Sequence, residues 1–358
     1  MEVLLESGFT SSIYPEFYSL MKRNSAYVIF YLIATLGLIC NGCALDDQAN
    51  EYIYVGADGI NGLAGGMYRC DKFINNCNPI DTRKYLLLER DVFGVSAKHS
   101  RQHLFIGAYF RDSFAVDSGS IFRCNTFAEN CTEIDLKYLS PKAGDWFGGS
   151  MLFYQNSFFF SGIMRNLTGA VFKCNHRGEL CQELVFPGLG LQVGDRFGSS
   201  MAVYDNKLFV SSVMAVRNGL QSGTLYQCDL ETLACQELNI YSKFSGDRFG
   251  ISLAIFDGIL YIGVNGRNNE RGLVLSCPLP ALVCSEMNFP NIFLREGDAF
   301  GHQILRTKEY WYISAVKRNA IRGSVFVCDL SFIRCFEKTR MEFPVPLYFG
   351  SALSALSD

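Results

Sequence analysis

One short phrase, copied along the chain, limits the folds open to it more than any other feature. Phe-Gly stands at Phe93, Phe147, Phe197, Phe249, Phe300 and Phe349, at intervals of 54, 50, 52, 51 and 49 residues. Two of the fullest copies are "GDRFGSSMAVYDNKLFVSS" (194–212) and "GDRFGISLAIFDGILYIGV" (246–264). The first five are preceded, two positions earlier, by Asp91, Asp145, Asp195, Asp247 and Asp298. A period near fifty residues is that of a supersecondary unit that buries its faces against its own copies.

One unit reads in four parts. "FGSSMAVY" and "KLFVSSV" flank a tight turn and form strands A and B. In "YQNS", "YDNK" and "FDGI", Asn or Gly stands where a two-residue hairpin needs positive φ. A polar loop ending in Gly follows. "GTLYQC" then forms strand C and "ACQELN" strand D. Strand B is apolar on both faces, as in "SFFFSG", "ILYIGV" and "YWYISA". An antiparallel hairpin with one wet face would alternate, so both faces are expected to be covered by neighbouring units.

Four-stranded units of this length, stacked face to face, predict an all-β fold, a β-propeller of antiparallel blades. The units fall near 51–81, 93–135, 147–184, 197–239, 249–287 and 300–337, with a partial one at 347–356. The first lacks a strand A and the last has only a strand A, so the ends are complementary. Six blades are expected, with residues 347–356 entering the blade of residues 51–81. An incomplete seven-bladed ring is the alternative.

Cysteines keep step with the blades. Cys70/Cys77, Cys124/Cys131, Cys174/Cys181, Cys228/Cys235, Cys277/Cys284 and Cys328/Cys335 all have the spacing C-x6-C, where C ends and D begins. Even number and uniform spacing predict disulfides stapling each C–D hairpin. Zinc knuckles space their ligands two to four residues apart, which this pattern does not do.

The first 44 residues stand apart. Met21-Lys22-Arg23 is a short basic region, "YVIFYLIATLGLIC" (27–40) an apolar core, and "NGCA" a run ending in a cleavage site after Ala44. This predicts a signal peptide with residues 1–20 as an upstream extension; a retained signal anchor is the alternative. One domain, 45–358, follows, and it is expected outside the cell.

The unit Phe-Gly-x-Ser, followed by "YVGAD" or "FIGAY" and then by Gly-x-[VIL]-[FY], resembles the FG-GAP repeat of integrin α-subunit propellers over nearly all of residues 51–356. "GGMYRC…C" and "GSIFRC…CTEID" are similar to the first blade of some integrin α chains, which carries a cysteine pair there. The resemblance implies an extracellular adhesion module whose rim loops bind an integrin-β-like subunit or a matrix protein. No Asp-x-Asp-x-Asp-Gly run stands between strands A and B. No metal and no cofactor is therefore expected.

A search for chemistry finds little that breaks the repeat. His99, His103, His176 and His302 form no triad-like spacing with a nucleophile. The aspartates of the Gly-Asp-x-Phe-Gly motif recur with the blades, as structural residues do, and are expected to hydrogen-bond the turn into strand A. A reaction needs one asymmetric constellation, so no enzyme is expected. The loops between B and C carry Arg111, Arg165, Arg217, Arg267 and Arg318 at equivalent places, four of them followed by Asn. Either these form a cationic rim for an anionic glycan or acidic partner, or duplication copied a well-formed loop with a solvated Arg. Near-neutral overall charge argues against nucleic acid. Sequons stand at Asn130 and Asn166. A shortened integrin-α-related product without a role of its own is the remaining alternative.

Overall fold

The computed structural model describes residues 52–355 apart from 60–62, 218, 242 and 340–347. The expected signal peptide and its cleavage site lie outside the described residues. Among the described residues, twenty-four strands form six four-stranded antiparallel sheets. Blade 1 contains β1 (Ile53–Ala57), β2 (Met67–Cys70) and β3 (Cys77–Pro79). Blade 2 contains β4 (Ser96–His99), β5 (His103–Ala108), β6 (Ser120–Asn125) and β7 (Cys131–Glu133). Blade 3 contains β8 (Phe147–Tyr154), β9 (Ser157–Gly162), β10 (Ala170–Asn175) and β11 (Gln182–Leu184). Blade 4 contains β12 (Phe197–Tyr204), β13 (Lys207–Ser212), β14 (Thr224–Asp229) and β15 (Cys235–Leu238). Blade 5 contains β16 (Phe249–Phe256), β17 (Ile259–Val264), β18 (Leu273–Pro278) and β19 (Ser285–Glu286). Blade 6 contains β20 (Phe300–Arg306), β21 (Tyr310–Ala315), β22 (Ser324–Asp329) and β23 (Cys335–Lys338). The last strand, β24 (Phe349–Ala355), is the innermost strand of blade 1.

The ring therefore closes at six. β24 pairs with β1 in the register Ile53↔Ala355, Tyr54↔Ser354 and Val55↔Leu353. The innermost strands β4, β8, β12, β16, β20 and β24 touch in that order, and β24 returns to β4. Closure removes the two raw apolar ends that an open row would expose.

Two-sided burial explains the apolar second strands. On β5, Leu104 and Ile106 pack with Tyr54 of blade 1, while Phe105 between them packs with Phe158 and Phe160 of blade 3. Side chains of a strand alternate between faces, so each blade fills both neighbours. Burying one such side chain stabilises by about 1.5–3 kcal/mol.

The Phe-Gly phrase is the joint between blades. The Phe is fully buried and meets an aromatic of strand C: Phe93–Phe122 at 5.3 Å, Phe147–Phe172 at 5.2 Å and Phe300–Phe326 at 5.6 Å. Gly148 has φ +85°, and a Cβ there would lie 2.6 Å from the Ser120 carbonyl oxygen of the preceding blade. Only glycine fits such an approach.

All six expected disulfides are formed: Cys70–Cys77, Cys124–Cys131, Cys174–Cys181, Cys228–Cys235, Cys277–Cys284 and Cys328–Cys335. The expectation that the second cysteine opens strand D needs correcting in two blades. Cys77, Cys131, Cys235 and Cys335 do begin their strands, and each is paired in register with its bonded partner. Cys181 and Cys284 instead lie in the C–D loop, because β11 begins at Gln182 and β19 at Ser285. The ladder there stops at Lys173↔Gln182 and Ser276↔Ser285, one pair short of the cysteines.

The reason lies in the residue after the first cysteine. In blades 1, 2, 4 and 6 its amide donates to the carbonyl just before the second cysteine, as in Asp71 N to Asn76 O at 3.0 Å and Asp229 N to Ala234 O at 2.9 Å. In blade 3 the Asn175 amide reaches Glu179 O instead, at 2.9 Å, and the Cys181 amide donates to the Tyr138 hydroxyl at 2.8 Å. In blade 5 that residue is Pro278, which has no amide hydrogen to donate. The staple is therefore kept in both blades while the hydrogen-bonded rung beside it is lost.

Inside these loops an Asp or Asn holds the turn. Asp71 accepts from the Asn75 and Asn76 amides at 2.9 and 3.1 Å, and Asp329 from the Ile333 and Arg334 amides at 3.0 and 3.2 Å. Two A–B turns have the expected chemistry, with positive φ at Asp205-Asn206 and Asp257-Gly258. Among the described residues no helix is long and apolar enough to cross a membrane.

Candidate functional site: the loop face of the ring

The B–C loops and the D–A loops emerge at the same end of every blade, here called the upper face. Hydrogen bonds tie the B–C loop of one blade to the D–A loop entering the next: Gly144 N to Val116 O at 2.9 Å, Gly194 N to Leu167 O at 2.7 Å and Gly246 N to Leu220 O at 2.8 Å.

The structure places the five arginines in ion pairs with the five motif aspartates, blade by blade. Nη1 of Arg111 lies 2.6 Å from Asp91 Oδ2, Nη1 of Arg165 2.5 Å from Asp145 Oδ2, and Nη2 of Arg217 3.3 Å from Asp195 Oδ2. Nη1 of Arg267 lies 3.0 Å from Asp247 Oδ2, and Arg318 pairs with Asp298. The arginine side chains are only 9–19% exposed and the aspartates 2–7%. Strand D supplies a second carboxylate in most blades, as in Arg217 with Glu237 at 3.1 Å and Arg318 with Glu337 at 2.7 Å. In blade 5 Glu286 accepts from the Tyr241 hydroxyl at 2.5 Å instead, and the Arg267 guanidinium lies over Phe244 at 4.4 Å. Each Asp also accepts a backbone amide three residues earlier, for example Lys142 N at 2.7 Å and Arg295 N at 2.8 Å. That turn hydrogen bond is the role expected from the sequence. The Asn after the Arg has its own reason: Asn166, Asn268 and Asn319 sit at φ 53°, 55° and 57°, a region Asn tolerates well. Asn218 lies outside the described residues.

Sequence reasoning missed the residue just before the Phe, which follows the Asp in five copies and Leu347 in the last. Val92, Trp146, Arg196, Arg248, Ala299 and Tyr348 all take positive φ at the start of the innermost strands, around the mouth of the axial channel. This variable place inside a fixed motif gives each blade one individual side chain there, which is the signal that could have found it. Trp146 stacks on Tyr109 at 5.8 Å and meets Phe110 edge-on at 4.9 Å. Arg196 lies 4.9 Å over the same indole. Across the mouth, Glu270 bridges Arg248 at 3.2 Å and Lys317 at 2.8 Å. Beside Tyr109, burial pushes the Asp58 carboxyl up to about 7, and its Oδ1 has no hydrogen-bond partner. Burial also pushes the Tyr109 phenol up to about 12, with Asp58 adding to the shift. Outside the aromatic cluster runs an arc of exposed apolar side chains: Val116, Leu167, Val193, Leu220 and Phe244.

The histidines are spread out. His99 stacks on Tyr54 at 5.7 Å, and His103 meets Phe105 edge-on at 6.2 Å. His302 is half-buried near the mouth, where desolvation pulls its imidazole down to about 4. His176 sits in the C–D loop of blade 3. Asn166 is exposed on the upper face, while Asn130 is exposed on a C–D hairpin at the opposite, lower face.

No family model matches the chain, and no curated protein matches it. Among solved structures, a chain in the crystal structure of a nidogen/laminin complex is similar, with a TM-score of 0.54 and 11% identity. The likeness covers 85% of this chain and 98% of that one. At that identity it speaks for the propeller fold alone.

Proposed function

We propose that this chain is an extracellular, non-catalytic binding module of integrin-α-like type, gripping a protein partner with the centre of its upper face. The observation that carries the proposal is the cluster of Tyr109, Phe110, Trp146 and Arg196 at the channel mouth. Trp, Tyr and Arg are the residues that most often dominate protein interfaces, and they do so near the centre of a patch with a water-excluding rim. The exposed arc of Val116, Leu167, Val193, Leu220 and Phe244 supplies such a rim. Six disulfides fit an oxidising, extracellular setting. A structural neighbour taken from a complex of two proteins is consistent with a binding role. The resemblance of the repeat to integrin α chains makes an integrin-β-like subunit or a matrix protein the partner class to test first.

The chain has two tryptophans, and Trp311 is buried at 3% exposure, so Trp146 is the fluorescent reporter of the upper face. Titration with purified integrin β ectodomains and matrix proteins should shift its emission. Trp146→Ala and Arg196→Ala should each weaken the interaction by about 30-fold. A partner bound equally well by both variants would place its contact elsewhere and overturn the proposal.

A further inference from the structure

The axial channel is lined by all six innermost strands and encloses about 240 Å3. One residue in it departs from the repeat. Five positions after the motif Phe, the other blades carry Leu152, Ala202, Ala254, Leu305 and Ser354; β4 carries Lys98. Lys98 lines the cavity, and among the described residues it makes no ion pair or hydrogen bond. Among the described residues no Asp or Glu lines the channel. Burial without a counter-charge pulls the ammonium's pKa down, the signature of a charge whose environment does not answer it. Ser150 and Gln303, on the innermost strands of blades 3 and 6, line the same cavity and bring a hydroxyl and an amide to it. Six inner edges enclosing one cation, with polar hydrogens nearby, make a site short of one negative charge.

We propose that the axial channel is a halide site in which chloride rests against Lys98 Nζ and accepts hydrogen bonds from Ser150 and Gln303. The ion joins side chains of blades 2, 3 and 6 at the centre of the ring, and so stabilises the closed propeller. A cavity of this size holds the ion together with several waters, each occupying roughly 30 Å3. The proposal is independent of what binds the upper face.

Thermal unfolding of the secreted chain tests it, with chloride raised about a hundredfold at constant ionic strength and gluconate making up the balance. The unaltered chain should gain about 3 °C in Tm, and Lys98→Met should gain nothing. Crystals of the unaltered chain soaked in bromide should show an anomalous peak touching Lys98 Nζ, a readout that does not depend on the variant folding. An equal chloride response in Lys98→Met, no response in the unaltered chain, or no bromide in the channel would each overturn the assignment.

Discussion

Nη1 of Arg165 lies 2.5 Å from Oδ2 of Asp145, twenty residues earlier, with both side chains at least nine-tenths buried. Arg165 also donates to the Leu139 and Ser140 carbonyls at 3.0 Å each. The arginine thus fastens a D–A loop to a B–C loop within one blade, and its charge is met inside the protein. Removing one partner strands the other. Asp145→Ala should cost about 3–5 kcal/mol, whereas Asp145→Leu combined with Arg165→Met should recover most of that loss. Urea unfolding of the three proteins checks this; a single variant as stable as the parent would show that the pair does not hold the loops.

The same pairing bears on the partner class. With the rim arginines neutralised in blades 2–6 and a formal net charge of −3, the upper face presents little uncompensated positive charge. The chain should leave a heparin column below about 0.15 M salt. Retention to higher salt that disappears in Arg196→Ala would instead support a sulfated glycan at the mouth.

The sequence carried the ring because its message is repetitive. Phe-Gly, the C-x6-C pairs and the split first blade are each consequences of one packing unit, so six copies reinforce one reading. The uniform cysteine spacing also hid a difference, since Cys181 and Cys284 keep the staple without opening a strand. The Arg–Asp pairs were harder. Asp91 and Arg111, Asp145 and Arg165, and Asp247 and Arg267 share a separation of twenty residues, but contact depends on the A–B hairpin bringing both ends to one face. The aromatic mouth was hidden for a different reason. Trp146 and Arg196 come from successive blades and meet only when those blades stack, and Lys98, Ser150 and Gln303 line one channel only when the ring is closed. Periodicity reports what the blades share, and a site is made where they differ.

The two sequons lie on opposite faces, which turns glycosylation into a probe of the binding face. Asn166 is followed by Leu167 of the apolar arc, while Asn130 belongs to a lower C–D hairpin. Both side chains are exposed, and each should carry a glycan when the chain is expressed through a eukaryotic secretory pathway, seen as a mass loss on enzymatic deglycosylation. A partner on the upper face should bind Asn166→Gln severalfold more tightly and Asn130→Gln unchanged. The reverse order would move the interface to the lower face.

Acid stability should expose a balance between two half-buried groups. Burial pulls His302 from 6.5 down to about 4, with Arg248 and Lys317 adding to the shift, and Asn265 Nδ2 stands 3.2 Å from its Nδ1. The unfolded chain takes up this proton below 6.5 while the fold does not, so the stabilisation is complete above 6.5 and is lost as pH falls toward 4. Asp58 runs the other way. Its carboxyl rises from 3.8 to about 7 by burial, so its contribution is complete below 3.8 and is lost as pH rises through 7. Between pH 4 and 6.5 the two slopes oppose each other. His99 and His103, both pulled down by burial, add to the acid-side loss. Asp58→Asn keeps the neutral shape and removes the opposing slope, so that variant should lose stability on acidification more steeply than the parent. His302→Gln should lose less than the parent, because its acid penalty is gone. Urea midpoints followed across this window check both signs, and parallel profiles for all three proteins would mean that neither group titrates differently on folding.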